Sequence, residues 1–174
     1  MPSNRHGQPP TPADRPVRAL GLDLGSKRIG VAVSDGEGLV ATPLKVVQRT
    51  GDRRAEHRAI ASLVREWEVE VVVVGMPYSL DGSRGPMALR MGAEADELGA
   101  RLGVPVETYD ERLTTVTAER SLREQDLRGP ERRRVVDMVA ATVMLQAWLD
   151  GQRARSGEPA AGEPEIGAPR TCEP

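Results

Sequence analysis

The sequence predicts an α/β domain with a mixed five-stranded sheet and flanking helices. Three observations carry that reading. An alternating apolar stretch lies near the start, a run of four valines occupies 71–74, and apolar stripes at helical spacing separate the later strands. Antiparallel strands first and strand–helix–strand units afterwards give a sheet of mixed direction.

Taken in order, residues 1–16 are polar and proline-rich and read as a disordered leader. Arg18 to Asp35 follows, R-A-L-G-L-D-L-G-S-K-R-I-G-V-A-V-S-D. Leu20, Leu22 and Leu24 alternate with Ala19, Gly21 and Asp23; beyond the G-S-K-R turn, Ile29, Val31 and Val33 alternate with Gly30, Ala32 and Ser34. Period-two alternation predicts a hairpin with two distinct faces. Leu39 to Gln48 reads as a third strand, at an edge or bent at Pro43, because proline cannot donate to a ladder. Asp52 is placed to cap a helix to about Trp67, with Ile60, Leu63, Val64 and Trp67 on one stripe.

Val69 to Gly75 reads as a strand buried on both faces. Gly75 to Ser83 is expected as a loop at its carboxyl end, where open α/β sheets place ligands. A second helix spans about Pro86 to Leu102, with Ala88, Met91, Ala95, Leu98 and Leu102 on its stripe and Gly103 as its stop. A short strand, Val104 to Tyr109, runs into D-E-R-L-T-T. Thr114 or Thr115 would cap a third helix to about Gln125, and Gly129-Pro130 breaks the chain before a last apolar helix, about Glu131 to Asp150. Gly151 to Pro174, rich in Gly, Pro, Glu and Ala, reads as a disordered tail, which leaves one domain over 17–150.

Composition narrows the function classes. No run of about 18 apolar residues exists, so no membrane span is expected. The single cysteine, Cys172, excludes a disulfide framework and fits a reducing cytoplasm. A net charge of −2 argues against a simple basic-patch nucleic-acid binder. The cations nevertheless cluster, at Lys27-Arg28, at Arg120 and Arg123, and at Arg128 with Arg132 to Arg134. They are nearly all arginine, which suits bidentate contacts to phosphate. With no Phe and 2% aromatic residues, stacking on aromatic platforms is not expected as the main binding mode.

Three carboxylates stand out by position. Asp23 lies inside an apolar strand, where an unpaired charge costs several kcal/mol. It is either paired with a neighbouring loop or held as a ligand for a metal or phosphate site. Glu111 follows directly from the last strand. Asp137 lies among Ala140, Ala141, Met144 and Trp148, and alone it reads as the partner of an arginine. Together the three would supply oxygen donors from several rigid elements, as Mg²⁺ or Mn²⁺ requires. Two such ions ~3.5–4 Å apart activate a water and stabilise the leaving oxygen in phosphodiester cleavage.

Four segments then resemble one known family: D-L-G-S-K-R-I-G-V-A-V-S-D (23–35), G-M-P-Y-S-L-D-G-S (75–83), D-E-R-L-T-T (110–115) and V-D-M-V-A-A-T-V-M-L-Q (136–146). In this order they resemble the YqgF family, also called RuvX, over about Arg18 to Asp150. The resemblance implies a ribonuclease H-like fold and a cytoplasmic bacterial nuclease that uses a divalent metal and matures the 5′ end of 16S rRNA. It puts Asp23, Glu111 and Asp137 on the acidic catalytic positions, and the Gly75-to-Ser83 loop near the active edge.

On that reading Asp23 bridges two ions, Glu111 and Asp137 each hold one, and Lys27, Arg28 and Arg112 contact the phosphate backbone. Thr114 and Thr115 cap a helix, or one of them orients Glu111 or binds a phosphate. The implied partner is nucleic acid: pre-16S rRNA, or branched DNA if the protein is a Holliday junction resolvase. A resolvase needs a two-fold dimer and an rRNA trimmer does not, so monomer and homodimer both stay open. A non-catalytic RNA-binding or regulatory protein on the same scaffold is a third reading. The D-x-G hairpin also opens actin-like ATPases and sugar kinases, but this chain is too short for their second domain.

Overall fold

The computed structural model describes residues 17–78, 85–110 and 130–156. Its elements are β1 (Ala19–Leu24), β2 (Arg28–Ser34), β3 (Ala41–Gln48), α1 (Arg53–Glu66), β4 (Val71–Met76), α2 (Pro86–Leu102), β5 (Val106–Asp110) and α3 (Pro130–Ser156). The strands form one five-stranded sheet in the order β3-β2-β1-β4-β5. β2 is antiparallel to β1 and to β3, while β4 is parallel to β1 and to β5. This is the mixed five-stranded sheet with flanking helices that the sequence predicts.

Alternation along the hairpin makes the two faces chemically different. On one face Leu20, Leu22, Ile29 and Val31 pack with Ile60 and Leu63 of α1 and with Met91 and Leu98 of α2. On the other, Ala19, Ala32, Val71 and Val73 lie under Ala141, Met144, Leu145 and Trp148 of α3. β4 is buried along its whole length, as its valine run requires.

The small residues of the second face decide how near α3 comes. A Cβ at Gly21 would stand 2.8 Å from Leu145 Cβ, and one at Gly30 would stand 2.0 Å from the backbone oxygen of Asp137. Glycine at these two positions lets the helix backbone rest on the hairpin.

Local expectations fare well, with adjustments at element ends. β3 lies at the sheet edge, and its register with β2 shifts where Ala32 faces Pro43. The Asp52 side chain accepts from the amides of Arg54 and Ala55, and Gly103 ends α2 at φ 70°. Gly75 and Met76 belong to β4 instead of opening a loop, and Met76 is buried in the core. The last helix continues through Ser156, so Gly151 to Ser156 is helical and not tail. Gln152, Arg153, Ala154 and Arg155 are good helix formers, and Arg153 pairs with Asp150 one turn back. The leader 1–16, residues 79–84, the helix expected up to Gln125, Arg120, Arg123, Arg128 and the segment beyond 156 lie outside the described residues.

A buried ion network ties β3, α1 and α2 to the hairpin turn. Arg49, next after β3, donates to Glu56 at 3.0 Å and, through both terminal nitrogens, to Glu94 at 2.5 and 3.1 Å. Its Nε reaches the Gly25 carbonyl at 3.1 Å, and its amide donates to the Lys27 carbonyl at 3.0 Å. Both glutamates are buried. Glu56 also accepts from the amides of Thr50 at 2.7 Å and Gly51 at 3.1 Å. Burial pushes the Glu56 carboxyl up, but these amides and Arg49 outweigh it and hold the group below the usual carboxylate range. Burial likewise works against the Arg49 charge, and Glu94 and Glu56 outweigh it, so Arg49 stays protonated.

His57 extends the network. Arg101 Nη1 lies 2.7 Å from His57 Nδ1. Arginine only donates, so Nδ1 accepts and the ring proton sits on Nε2. That nitrogen faces Glu94 at 3.7 Å.

Two stability outcomes are expected. Gly30→Ala should destabilise the fold by about 3 kcal/mol or more, because its Cβ meets backbone. Gly151→Ala, with open space around it in a helix, should stabilise by about 0.5–1 kcal/mol. Urea denaturation checks both, and equal midpoints would refute the close-approach account. The second outcome concerns acid. A lowered folded pKa means that Glu56 contributes fully above the unfolded value of 4.5 and loses that contribution as pH falls through the folded value. Glu56→Gln should therefore cost about 1.5–3 kcal/mol at neutral pH. Its gap to wild type should narrow as the medium is acidified, and a pH-independent gap would contradict this assignment.

Candidate active site

Asp23 sits near the carboxyl end of β1, the central strand, and is only 3% exposed. Alternation turns it to the face of Ala19 and Gly21, on which α3 packs. Its partner across the ladder is Gly30, and Gly30 lies directly beneath the backbone of Asp137. The hairpin and α3 thus bring two of the three selected carboxylates to one place.

Asp137 is partly exposed, and Arg28 Nε donates to its Oδ2. Asp137 therefore has the arginine partner expected of it, and that partner starts β2. Lys27 is exposed in the adjoining turn. Glu111, Arg112, Thr114 and Thr115 lie outside the described residues, as do Ser79 to Ser83 of the second motif. Asp110, which precedes Glu111 in the chain, ends β5 opposite Met76. Since β1, β4 and β5 run parallel, that end belongs to the same carboxyl edge as Asp23.

The donor set suits a hard divalent cation. Mg²⁺ is commonly held by one or two carboxylates, with waters and substrate phosphates completing the shell. Asp23 on a central strand and Asp137 on a packed helix are rigidly mounted oxygen donors. Among the described residues no group of three or more His, Cys, Asp or Glu is placed to hold a metal. Arg28 adds a planar donor suited to phosphate oxygens.

Arg49, Glu56, His57 and Glu94 were not selected from the sequence, although they brace the turn that leaves Asp23. A signal was present. Glu94 falls on the α2 stripe between Met91 and Leu98, and His57 stands three residues before Ile60 on the α1 stripe. A polar group on an apolar stripe is the same anomaly that singled out Asp23.

Known proteins support the family suggested by the motifs. The profile of the family described as "RuvX: Holliday junction resolvase" matches residues 17–151. A relative from Myxococcus xanthus is 50% identical over 137 residues, covering 79% of this chain and 90% of that protein. One from Anaeromyxobacter sp. is 51% identical over 138 residues, covering 79% and 100%. One from Pelotomaculum thermopropionicum is 45% identical over 152 residues, covering 86% and 99%. All three are provisionally named pre-16S rRNA nucleases. Thermus thermophilus RuvC, solved in complex with a Holliday junction substrate, superposes with a TM-score of 0.49 at 19% identity, over 81% of this chain and 96% of that one. All four motifs fall inside the matched region, and the chain belongs to the RuvX family of nucleases.

Proposed function

We propose that this chain hydrolyses phosphodiester bonds in a divalent-metal-dependent reaction that matures the 5′ end of pre-16S rRNA. The observation that carries the site is the meeting of β1, β2 and α3 at Gly30, which puts Asp137 over the strand pair of Asp23. Asp23, Glu111 and Asp137 would hold Mg²⁺ or Mn²⁺. When bound, the metal lowers the pKa of a water and neutralises charge on the leaving oxygen. Asp23 is fixed by the central strand, so its carboxylate needs little reorganisation. Lys27, Arg28 and Arg112 hold the phosphate backbone. Arg28 has two roles, pairing with Asp137 and presenting its remaining N–H donors to a phosphate oxygen.

The names of the relatives favour pre-16S rRNA as substrate. The family description favours branched DNA as a second reading, which would call for a homodimer. The nuclease domain would extend from residue 17 through the end of α3 at Ser156. A cytoplasmic setting agrees with the lone Cys172 and with the lack of a helix long and apolar enough to cross a membrane among the described residues.

The test is cleavage of a labelled pre-16S 5′-leader fragment, beside a four-way DNA junction, with Mg²⁺ or Mn²⁺. Cutting of the RNA is expected, and Asp23→Asn should lower it by at least about 100-fold, beyond the usual loss on mutating an outer-shell partner of a metal ligand. The variant should keep its urea midpoint, and loss of folding would instead make Asp23 structural. Paired symmetric cuts in the junction would move the assignment to the resolvase. No cleavage of either substrate by folded protein would overturn the catalytic reading and favour a binding scaffold.

A further inference from the structure

Beside the hairpin turn lies an open cleft of about 780 Å³. It begins at Leu24 and Gly25, on the sheet face opposite the Asp23 side chain, and Arg28, which lines it and pairs with Asp137, joins the two faces around the end of the hairpin. The turn through Arg28 forms one wall, and Arg53 of α1 with Met87 and Arg90 of α2 forms the other. Its volume falls in the range of a ligand pocket, ~300–1,000 Å³, room for a short stretch of one strand.

Charge and rigidity both point to a polyanion. Five cations line the cleft, Lys27, Arg28, Arg49, Arg53 and Arg90, against the two acids Glu56 and Glu94. Both acids lie buried in the floor and are engaged by Arg49. Lys27, Arg53 and Arg90 are exposed at the rim. Arg53 stands 3.9 Å from the buried Glu94 and bonds Glu97 at 2.9 Å; the Arg53 and Glu97 side chains are both well exposed, and such a pair is worth about 0–1 kcal/mol. A phosphate can therefore replace Glu97 at little cost. Met87, 53% exposed, adds an apolar surface next to these cations. A nucleotide carries that same pairing of anion and apolar face. Arg49 holds the turn through the Gly25 and Lys27 carbonyls, so the first wall is preformed.

We propose that this cleft binds the sugar–phosphate backbone of the single-stranded nucleotides next to the scissile bond, with Arg53 and Arg90 as phosphate contacts. The proposal rests on the nuclease reading and extends it by giving the substrate strand a path, from Asp23 around the turn and then between the turn and the N-terminal ends of α1 and α2.

Fluorescence anisotropy tests it, with labelled single-stranded RNA, single-stranded DNA of the same sequence and a duplex of the same length, in EDTA over a range of salt. Arg53→Ala combined with Arg90→Ala should weaken single-strand binding at least tenfold. It should reduce the salt slope by about 1.4, two contacts at about 0.7 each. The double lysine variant should recover most of the affinity, since a backbone site needs charge more than shape. Similar binding of RNA and DNA supports a backbone site, and binding of duplex alone overturns it. Unchanged affinity and slope in the double alanine variant, with cleavage still lost in Asp23→Asn, overturns the cleft and keeps the nuclease. Binding through Arg53 and Arg90 by a chain that cuts nothing does the reverse.

Discussion

The candidate site depends on how closely α3 approaches the hairpin. The helix backbone at Asp137 occupies the space that a side chain on Gly30 would fill, and Leu145 does nearly the same over Gly21. Packed interiors do not yield continuously to an added methyl group. The helix either lies at this distance or is displaced, and with it goes Asp137. The apolar contacts of Ala141, Met144, Leu145 and Trp148 hold the helix down, and the two glycines set its height. One packing decision thereby places a carboxylate from residue 137 over a strand pair that contains residue 23.

The opposite side of the hairpin is governed by ions. Glu56 and Glu94 are buried around Arg49, and replacing such groups by apolar side chains of similar size is often neutral or stabilising. Bulk stability is therefore a weak explanation for the network. Its directional bonds are a better one. Arg49 reads the carbonyls of Gly25 and Lys27, while its carboxylate partners come from α1 and α2. The turn after Asp23 is thus held against two helices at a fixed distance. Arg28, at the end of that turn, reaches across to Asp137. The packed glycine face and the ionic face consequently meet at the same hairpin, one fixing the carboxylates and the other fixing the cations beside them.

Much of this was legible residue by residue. Period-two alternation identified the hairpin and put Asp23 on its small-residue face, and Pro43 marked the edge strand. Asp52 and Gly103 marked helix ends because their signals are local. Gly151 reads as a stop, yet nothing beyond it opposes the helix, and α3 runs on to Ser156. Glu94 and His57 were visible as polar groups on apolar stripes, but the partner that makes each tolerable lies 45 and 44 residues away, respectively.

By itself, then, the sequence determined the strands and helices, the two unlike faces of the sheet and the polar residues that did not belong in apolar surroundings. Those properties depend on neighbours within a few positions, through side-chain periodicity and capping. The tertiary structure alone decided which anomalies meet. Asp137 lies 107 positions beyond Gly30 and touches it because α3 crosses the sheet there. Arg49, next after β3, meets Glu94 because α2 packs on that face of the sheet. Spacing along a chain carries no record of such distances, since segments far apart in sequence are brought together by burial of apolar surface, which is not directional.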